Sequence, residues 1–320
     1  MKLLVQIPCL NEAETLARTL ADLPRQIPGI DVVEVLVIDD GSTDGTAQIA
    51  RAAGADHVVR LRRNQGLART FMLGLNESLR HGADVIVNFD ADNQYRGEDI
   101  PRLIEPILRG EADLVIGDRR VDSIAHFSPT KKLLQGVGSW VVRKLSTTEI
   151  PDATSGFRAL SREAALRMNV VTDFTYTLET IIQGGKQRLA LAHLPVDTNR
   201  DSRPSRLFST TWDYVKRSAV SIVRIYTHYE PLKTFAVLGG AFVAAGLMFG
   251  GRFLYYYWTY RGQGKIQSLI LAAVLLIVGV QVILMGLIGD TIAANRRLIE
   301  EILYRQRKQE NDEDAGRGAG

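Results

Sequence analysis

The sequence predicts a doubly wound α/β domain, an open and mostly parallel sheet covered by helices, followed by two membrane-spanning helices. Three observations carry this reading. From residue 1 to about 230, short Val- and Ile-rich runs alternate with amphipathic stretches, the pattern of parallel strands buried on both faces. Acidic residues gather just after several of those runs, where ligands sit in such sheets. The C-terminal third holds two long uncharged stretches.

The elements follow in order. "LLVQI" (Leu3–Ile7) is a first strand, broken by Pro8 and Asn11, and the spacing predicts a helix over Glu12–Leu23. "VEVLVID" (Val33–Asp39) is a second strand, leading to a helix near Thr43–Ala53 and then to "HVVRL" (His57–Leu61). Leu67–Leu79 is helical by spacing, and "DVIVNFD" and "ADLVIGD" (Ala112–Asp118) are further strands. "MKLLVQIP" is too short for a signal peptide, so the bulk of the chain is expected in the cytoplasm.

Thr234–Trp258 has about 18 uncharged residues before Arg252, and Ser268–Gly289 about 22, each long enough to cross a bilayer. The aromatic cluster Phe253, Tyr255, Tyr256, Tyr257, Trp258 and Tyr260 reads as an interfacial belt. A hairpin leaves both flanks on one side. They carry Lys216, Arg217, Arg224, Lys233, Arg296, Arg297, Arg305, Arg307 and Lys308, against Arg252, Arg261 and Lys265 in the intervening loop. That bias favours cytoplasmic flanks. Ahead of the first span, Leu207–Tyr226 places Trp212, Val215, Ala219, Ile222, Val223 and Tyr226 on one helical face. Such a helix lies on anionic lipid or packs on the domain. The tail "NDEDAGRGAG" is expected to be disordered.

The 320 residues are 46% hydrophobic and 23% charged, with a net charge of +3, which does not describe a nucleic-acid binder. The single cysteine, Cys9, rules out an internal disulfide and reads as structural. No internal repeat is visible.

The chemistry centres on "VIVNFDADNQY" (Val85–Tyr95), where a strand runs straight into Asp90, Asp92 and Gln94. Two neighbouring carboxylates repel, so a cation is expected between them. Acidic and amide oxygens suit Mg²⁺ or Mn²⁺, which can clamp a diphosphate. In "VIDDGSTDGT" (Val37–Thr46), Gly41 and Gly45 allow a tight turn, Ser42 or Asp44 can cap the next helix, and Asp39 could accept hydrogen bonds from a base or ribose. No G-x-G-x-x-G follows a strand, so no dinucleotide fingerprint is present. Glu12 either favours the helix dipole or contacts a nucleotide.

Together "PCLNE", "VIDDGSTDGT", "RNQGLA", "DADNQ", "GDR", "DATSGFRALSREA" and "RDSRPSRL" resemble glycosyltransferase family 2, enzymes of the GT-A fold. The nearest resemblance is to dolichol-phosphate mannose synthases and bacterial polyprenyl-phosphate glycosyltransferases. It runs from about residue 5 to 230, and two C-terminal spans fit several members. The resemblance implies roles residue by residue. Pro8, Glu12 and Asp39 fall where the family holds base and ribose, and Asp90 and Ala91 join the nucleotide-sugar site. Asp90, Asp92 and Gln94 match its D-A-D-x-Q metal and diphosphate site. Asp92 and Arg119 stand as catalytic residues, with Arg119 facing the phosphates. Lys131 or Lys132 falls in the lipid-phosphate segment, and Arg200, Ser205 and Arg206 match the late basic motif. "TSGFR" (Thr154–Arg158) matches the turn that shapes the acceptor side. Departures are Leu10 for a common Tyr, Tyr95-Arg96-Gly97 for a His-Pro-Pro-like run, and "RPSR" for Gly-x-Ser-Lys.

The implied function is inverting, metal-dependent transfer of one hexose-type sugar from a UDP- or GDP-linked donor to undecaprenyl or dolichyl phosphate, at the cytoplasmic face of the cell membrane. A lipid phosphate is already an anion, so positioning and charge neutralisation suffice without a strong base. The alternatives are another glycosyl acceptor or a non-catalytic membrane scaffold. A processive polysaccharide synthase would need more spans and a Q-x-x-R-W motif, which is absent. The implied organisation is a GT-A domain at 1–206, amphipathic juxtamembrane helices at 207–232, two spans at 233–290, and a cytoplasmic helix and tail at 291–320. Related membrane-anchored members often self-associate, so a homo-oligomer is one expected state.

Overall fold

The computed structural model describes residues 1–119, 140, 143, 150–170, 176–199, 224, 227, 229–260 and 266–318. The chain forms two compact units, Met1–Ser221 with Glu301–Gly320, and Ile222–Glu300.

The first unit is built on strands β1 (Lys2–Cys9), β2 (Val32–Asp39), β3 (His57–Arg60), β4 (Val85–Asn88), β5 (Leu114–Asp118), β6 (Arg158–Ser161) and β7 (Leu191–Pro195). Its helices are α1 (Leu16–Asp22), α2 (Thr46–Ala52), α3 (Leu67–Arg80), α4 (Ile100–Leu108), α5 (Arg162–Arg167) and α6 (Tyr176–Lys186). The strands form one sheet in the order β3-β2-β1-β4-β6-β5-β7. β1 to β4 are mutually parallel, and β7 is parallel to β5. Among the described strands β6 alone runs antiparallel, wedged between β4 and β5. On one face, Leu3, Val5, Ile7, Val35, Val37, Val85 and Val87 pack with Leu16, Leu20, Leu103 and Ile104 in one apolar core. Strands buried on both faces explain the continuous apolar runs.

The structure corrects several sequence expectations. Pro8 does not break β1, which continues through Cys9 in register with Asp39. The Gln6 carbonyl accepts from Phe89 N–H, so Gln6 and, two residues on, Pro8 turn their backbone groups toward β4. Pairing with β4 has ended at Gln6↔Asn88, so the N–H that Pro8 lacks has no ladder to join. The helix expected from Glu12 begins only at Leu16. Asn11 is left-handed, with a φ of 55°, and its side-chain oxygen accepts from Thr43 N–H at 2.9 Å, holding the chain out of a helix. The helix expected from Thr43 begins at Thr46, after Gly45 with a φ of 88°.

The second unit holds α7 (Pro231–Thr259), and α8 (Ile266–Gly318) starts there. Both are long and apolar enough to cross a membrane. Apolar side chains on them stand open, Val237 at 76% and Leu247 at 62% exposure, unlike core helices. Arg252, expected in the loop, lies inside α7, as do Phe253–Trp258. The helices meet along glycines. A Cβ on Gly239 would lie 2.7 Å from the Gly279 carbonyl oxygen, and one on Gly279 would lie 2.9 Å from that of Gly239. Such close backbone approach is how helices associate where no water drives them together. α8 continues unbroken through Gly318, where the sequence led us to expect a disordered tail. Its last part belongs to the first unit, where the Tyr304 hydroxyl donates to Glu163 and Arg307 Nη1 to the Met168 carbonyl just past α5.

Replacing Gly239 with Val is expected to cost about 1–3 kcal/mol of overpacking, read as a lower thermal midpoint in detergent. Gly240→Val is the control and should be silent, because a Cβ there meets nothing within 4 Å.

Candidate active site

The carboxyl ends of β1, β2, β4 and β5 share one edge of the sheet. Because β6 is antiparallel, the turn that precedes it reaches the same edge. The loops after β1 and β2 are laced together. Asn11 N–H donates to Ser42 Oγ at 2.8 Å, Glu12 N–H to Thr46 Oγ1 at 3.0 Å, and Ala13 N–H to Asp44 Oδ2 at 3.1 Å. Asp44 Oδ1 accepts from Thr46 N–H at 3.0 Å, so Asp44 serves the start of α2 while Ser42 holds the first loop. Burial alone would raise the Asp44 carboxyl, but the Thr46 hydroxyl and the N–H groups of Ala13 and Thr46 outweigh it and lower its pKa.

Asp39 and Asp40 divide two tasks. Asp40 accepts from Gln65 N–H at 2.7 Å and Gly66 N–H at 2.9 Å, which pins the loop entering α3. That loop passes so close that a Cβ on Gly41 would lie 2.7 Å from the Arg63 carbonyl carbon. Asp39 is fully buried. Its Oδ1 accepts from Ser42 N–H at 2.8 Å, and its Oδ2 lies 3.4 Å from Arg60 Nε with no hydrogen bond among the described residues. An orphaned buried carboxylate oxygen is an acceptor waiting for a donor.

Asp90 lies two residues beyond β4, and its carboxylate rests on the turn before β6. A Cβ on Gly156 would sit 2.6 Å from both Asp90 oxygens, so only glycine leaves room. Burial first, and then the charge of Asp92, push the Asp90 carboxyl up to about 7, against the opposing pull of Arg119 and Arg158. Asp92 Oδ1 accepts from Gln94 N–H at 3.0 Å, and the Gln94 carbonyl accepts from Asn199 N–H at 2.8 Å. Asn93 is left-handed at a φ of 57°, and the Ala91 carbonyl accepts from Thr19 Oγ1 at 3.0 Å. The D-A-D-N-Q segment is thereby fixed from both sides.

Arg119 is placed beside these acids but is already engaged. Its Nε and Nη2 donate to the two oxygens of Asp152, at 2.8 and 3.1 Å, and Nη2 also to Thr154 Oγ1 at 2.8 Å. Burial raises the Asp152 carboxyl, yet Arg119 and the hydrogen bonds overcome it and the net shift is downward. Arg158, fully buried, donates to the Ser155 and Thr177 carbonyls and the Thr180 hydroxyl. The Glu12 carboxylate accepts from Thr15 Oγ1 at 2.9 Å, and the first turn of α1 holds no acid, so the helix-dipole reading of Glu12 falls. Burial drives the Cys9 thiol well above its usual range, consistent with an inert packing role. Lys131, Lys132, Arg200, Ser205, Arg206 and nearly all of Leu207–Tyr226 lie outside the described residues.

Sequence reasoning therefore located Asp39, Asp90, Asp92 and Arg119 at one edge. It missed Asp152 as the partner of Arg119, and Gly156 as the floor beneath Asp90. Both lie in "DATSGFR", whose density of small and polar residues before a strand was the available signal. Among the described residues, no three His, Cys, Asp or Glu side chains form a ready cage for a metal ion. The acids supply two carboxylates at an open edge, the pattern of an ion shared with a ligand.

With this geometry in place, comparison with known proteins fixes the class. The chain belongs to glycosyl transferase family 2, whose model matches residues 4–167, just over half of the chain, and it is a glycosyltransferase. Residues 230–294 match a second model, the GtrB C-terminal hairpin, in agreement with two apolar helices in a membrane protein. An undecaprenyl-phosphate mannosyltransferase of Micrococcus luteus is 36% identical over 165 residues, covering 50% of this chain and 66% of that one, a little under two thirds. A glycosyltransferase of Haloferax volcanii, AglJ, is 29% identical over 300 residues, covering 91% and 93% of the two chains. Among solved structures, glucosyl-3-phosphoglycerate synthase of Mycobacterium tuberculosis, in complex with Mn²⁺, UDP and glucosyl-3-phosphoglycerate, aligns with a TM-score of 0.55 at 21% identity over 71% of this chain and 78% of that one. That likeness shows the GT-A fold.

Two results are expected from the site itself. Gly156→Ala should displace the Asp90 carboxylate and cut activity at least about tenfold while moving the thermal midpoint little, since only the far end of one side chain must shift. In metal-free protein, the raised pKa of Asp90 gives a stability contribution that is complete below about pH 4 and lost as the pH rises through about 7. The thermal midpoint should fall across that window, and Asp90→Asn should remove this part of the fall.

Proposed function

We propose that this enzyme transfers one hexose-type sugar from a nucleotide diphosphate donor, UDP- or GDP-linked, to polyprenyl phosphate, with inversion and with a divalent ion, Mg²⁺ or Mn²⁺. The observation that carries the proposal is the Asp90 carboxyl, packed on Gly156 beside Asp92, with burial and the Asp92 charge pushing it up to about 7. The donor set fits a hard cation. Asp90 and Asp92 would hold it, with Gln94 nearby and the donor's phosphates completing the shell. When bound, the ion neutralises charge on the departing nucleoside diphosphate. The Mn²⁺ and UDP of the mycobacterial synthase support this choice of ligands.

The chain's own residues supply the rest. Asp39, through its orphaned Oδ2, accepts a hydrogen bond from the base or ribose, beside Pro8 and Glu12. Ala91 lies against the sugar diphosphate. Arg119, held flat by Asp152 and Thr154, presents its charge where the phosphates meet. Lys131 or Lys132, with Arg200, Ser205 and Arg206, binds the acceptor phosphate. That phosphate oxygen attacks the anomeric carbon in line, a new C–O bond forms, and the old bond's electron pair leaves with the diphosphate. One displacement inverts the centre, and no strong base is required because the nucleophile is already an anion.

The name of the Micrococcus luteus relative supports the acceptor, and so does the apolar hairpin, which keeps the site near lipid. In this reading residues 1–206 form the catalytic domain, 207–232 lie along the lipid surface, 233–290 span the cell membrane, and 291–320 return to the cytoplasmic side. The Lys and Arg excess on the flanks supports that orientation.

The test offers the detergent-purified protein UDP- and GDP-sugars with Mn²⁺ or Mg²⁺, with and without undecaprenyl phosphate, and follows labelled sugar into the lipid phase. One donor is expected to label lipid, and Asp92→Asn should lower turnover by at least about a thousandfold without unfolding the protein. A folded, nucleotide-binding protein that labels no lipid from any donor refutes the acceptor. Full activity of Asp92→Asn refutes the metal site.

A further inference from the structure

Beneath the site runs a buried polar row that none of the roles above uses. Gln6, Asn88 and Arg158 are register partners across β1, β4 and β6, so their side chains share one face of the sheet, and all three are fully buried. Their surroundings are apolar, with Leu4, Ile86 and Leu160 buried in the same strands and Leu36 and Ile38 in the adjoining β2. A polar row in such a place is costly unless its bonds do something specific.

Asn88 stands at the centre of the row. Its Nδ2 donates to the Gly156 carbonyl at 2.8 Å and to the Tyr176 hydroxyl at 3.0 Å. Its Oδ1 accepts from Gln6 Nε2 at 2.9 Å. All of its hydrogen-bonding capacity as donor is thus spent on one backbone carbonyl and one phenol. Gly156 is the residue on which the Asp90 carboxylate rests, and Asp90 is two residues beyond Asn88, on the same face as the chain leaves β4. One side chain therefore ties the strand that delivers Asp90 to the turn that supports it. Space is cleared for this network on the helix side: a Cβ on Gly74 of α3 would lie 2.5 Å from Gln6 Oε1. The far partner is also fixed, since the Tyr176 ring stacks on Phe71 at 4.1 Å.

We infer that Asn88 is a positioning residue for the metal-binding carboxylate: by holding the Gly156 carbonyl, it sets the height and aim of Asp90 at the sheet edge. The inference rests on the metal reading above. Asn88 touches neither substrate nor ion. It acts through Gly156, as outer-shell partners act on the ligands they orient.

The experiment measures Mn²⁺ affinity by titration calorimetry, and kcat and KM for the acceptor, on full-length protein in detergent. Asn88→Leu removes both donated bonds at similar volume. Asn88→Asp keeps the shape but sets a carboxylate oxygen against the Gly156 carbonyl, and it carries the same test where the Leu variant folds poorly. Tyr176→Phe removes one bond of the network and leaves the bond to Gly156. Both Asn88 variants are expected to bind Mn²⁺ about ten- to a hundredfold more weakly and to lose kcat with an unchanged acceptor KM. Tyr176→Phe is expected to keep wild-type Mn²⁺ affinity even if its thermal midpoint falls. Wild-type affinity in the Asn88 variants, or an equal loss in Tyr176→Phe, overturns the inference and leaves the metal reading standing. Absence of Mn²⁺ binding by the wild-type protein overturns both.

Discussion

The position of Asp90 depends on one strand running the wrong way. In a purely parallel sheet the carboxyl ends of the strands meet only loops that lead into helices. Here β6 is inserted antiparallel between β4 and β5, so its preceding turn arrives at that edge from the opposite direction. The turn brings Asp152, Thr154 and Gly156 to the acids that the parallel strands deliver. Gly156 lets the Asp90 carboxylate lie directly on backbone, and Asp152 takes up Arg119. Without the antiparallel insertion, Asp90 would lose its backbone rest on Gly156 and Arg119 its partner Asp152.

The electrostatics of the edge follow from this arrangement. Asp152 and Arg119 satisfy one another, and each is consequently held in its charged form. Arg158 is committed to carbonyls and a hydroxyl below. Neither arginine balances Asp90, whose carboxyl stays poised near neutrality. The proposed metal site rests on this imbalance, because a carboxylate already neutralised by arginine has little affinity left for a metal ion. Arg119, fixed by Asp152, is a preorganised positive charge, and near it lies Asp90, its carboxyl raised by burial and by the charge of Asp92.

The two units are held by different physics. In the first, strands are buried on both faces, and burial of Leu, Ile and Val dominates. In the second, large apolar side chains stand open and the helices meet through glycines, so backbone approach replaces hydrophobic burial. The loops around the site use a third means. Side chains of Asn11, Ser42, Asp40, Asp44 and Thr46 take up backbone N–H groups that no strand or helix satisfies.

Sequence alone determined the α/β alternation, the acids at strand ends and the two apolar helices, because each is written in local periodicity or composition. The motifs "DADNQ" and "VIDDGSTDGT" were legible for the same reason: their chemistry is carried by neighbours in the chain. It misjudged Pro8, since a proline reads as a break until one knows that the β4 ladder has already ended beside it. It misjudged the start of α1, since the left-handed Asn11 is held by Thr43, more than thirty residues away. Only the tertiary structure decided that β6 is antiparallel, that Asp152 holds Arg119, and that Asn88 reaches Gly156 across 68 residues of chain. Those facts depend on which strands lie side by side, and strand order is fixed by long-range packing that no short stretch of sequence encodes.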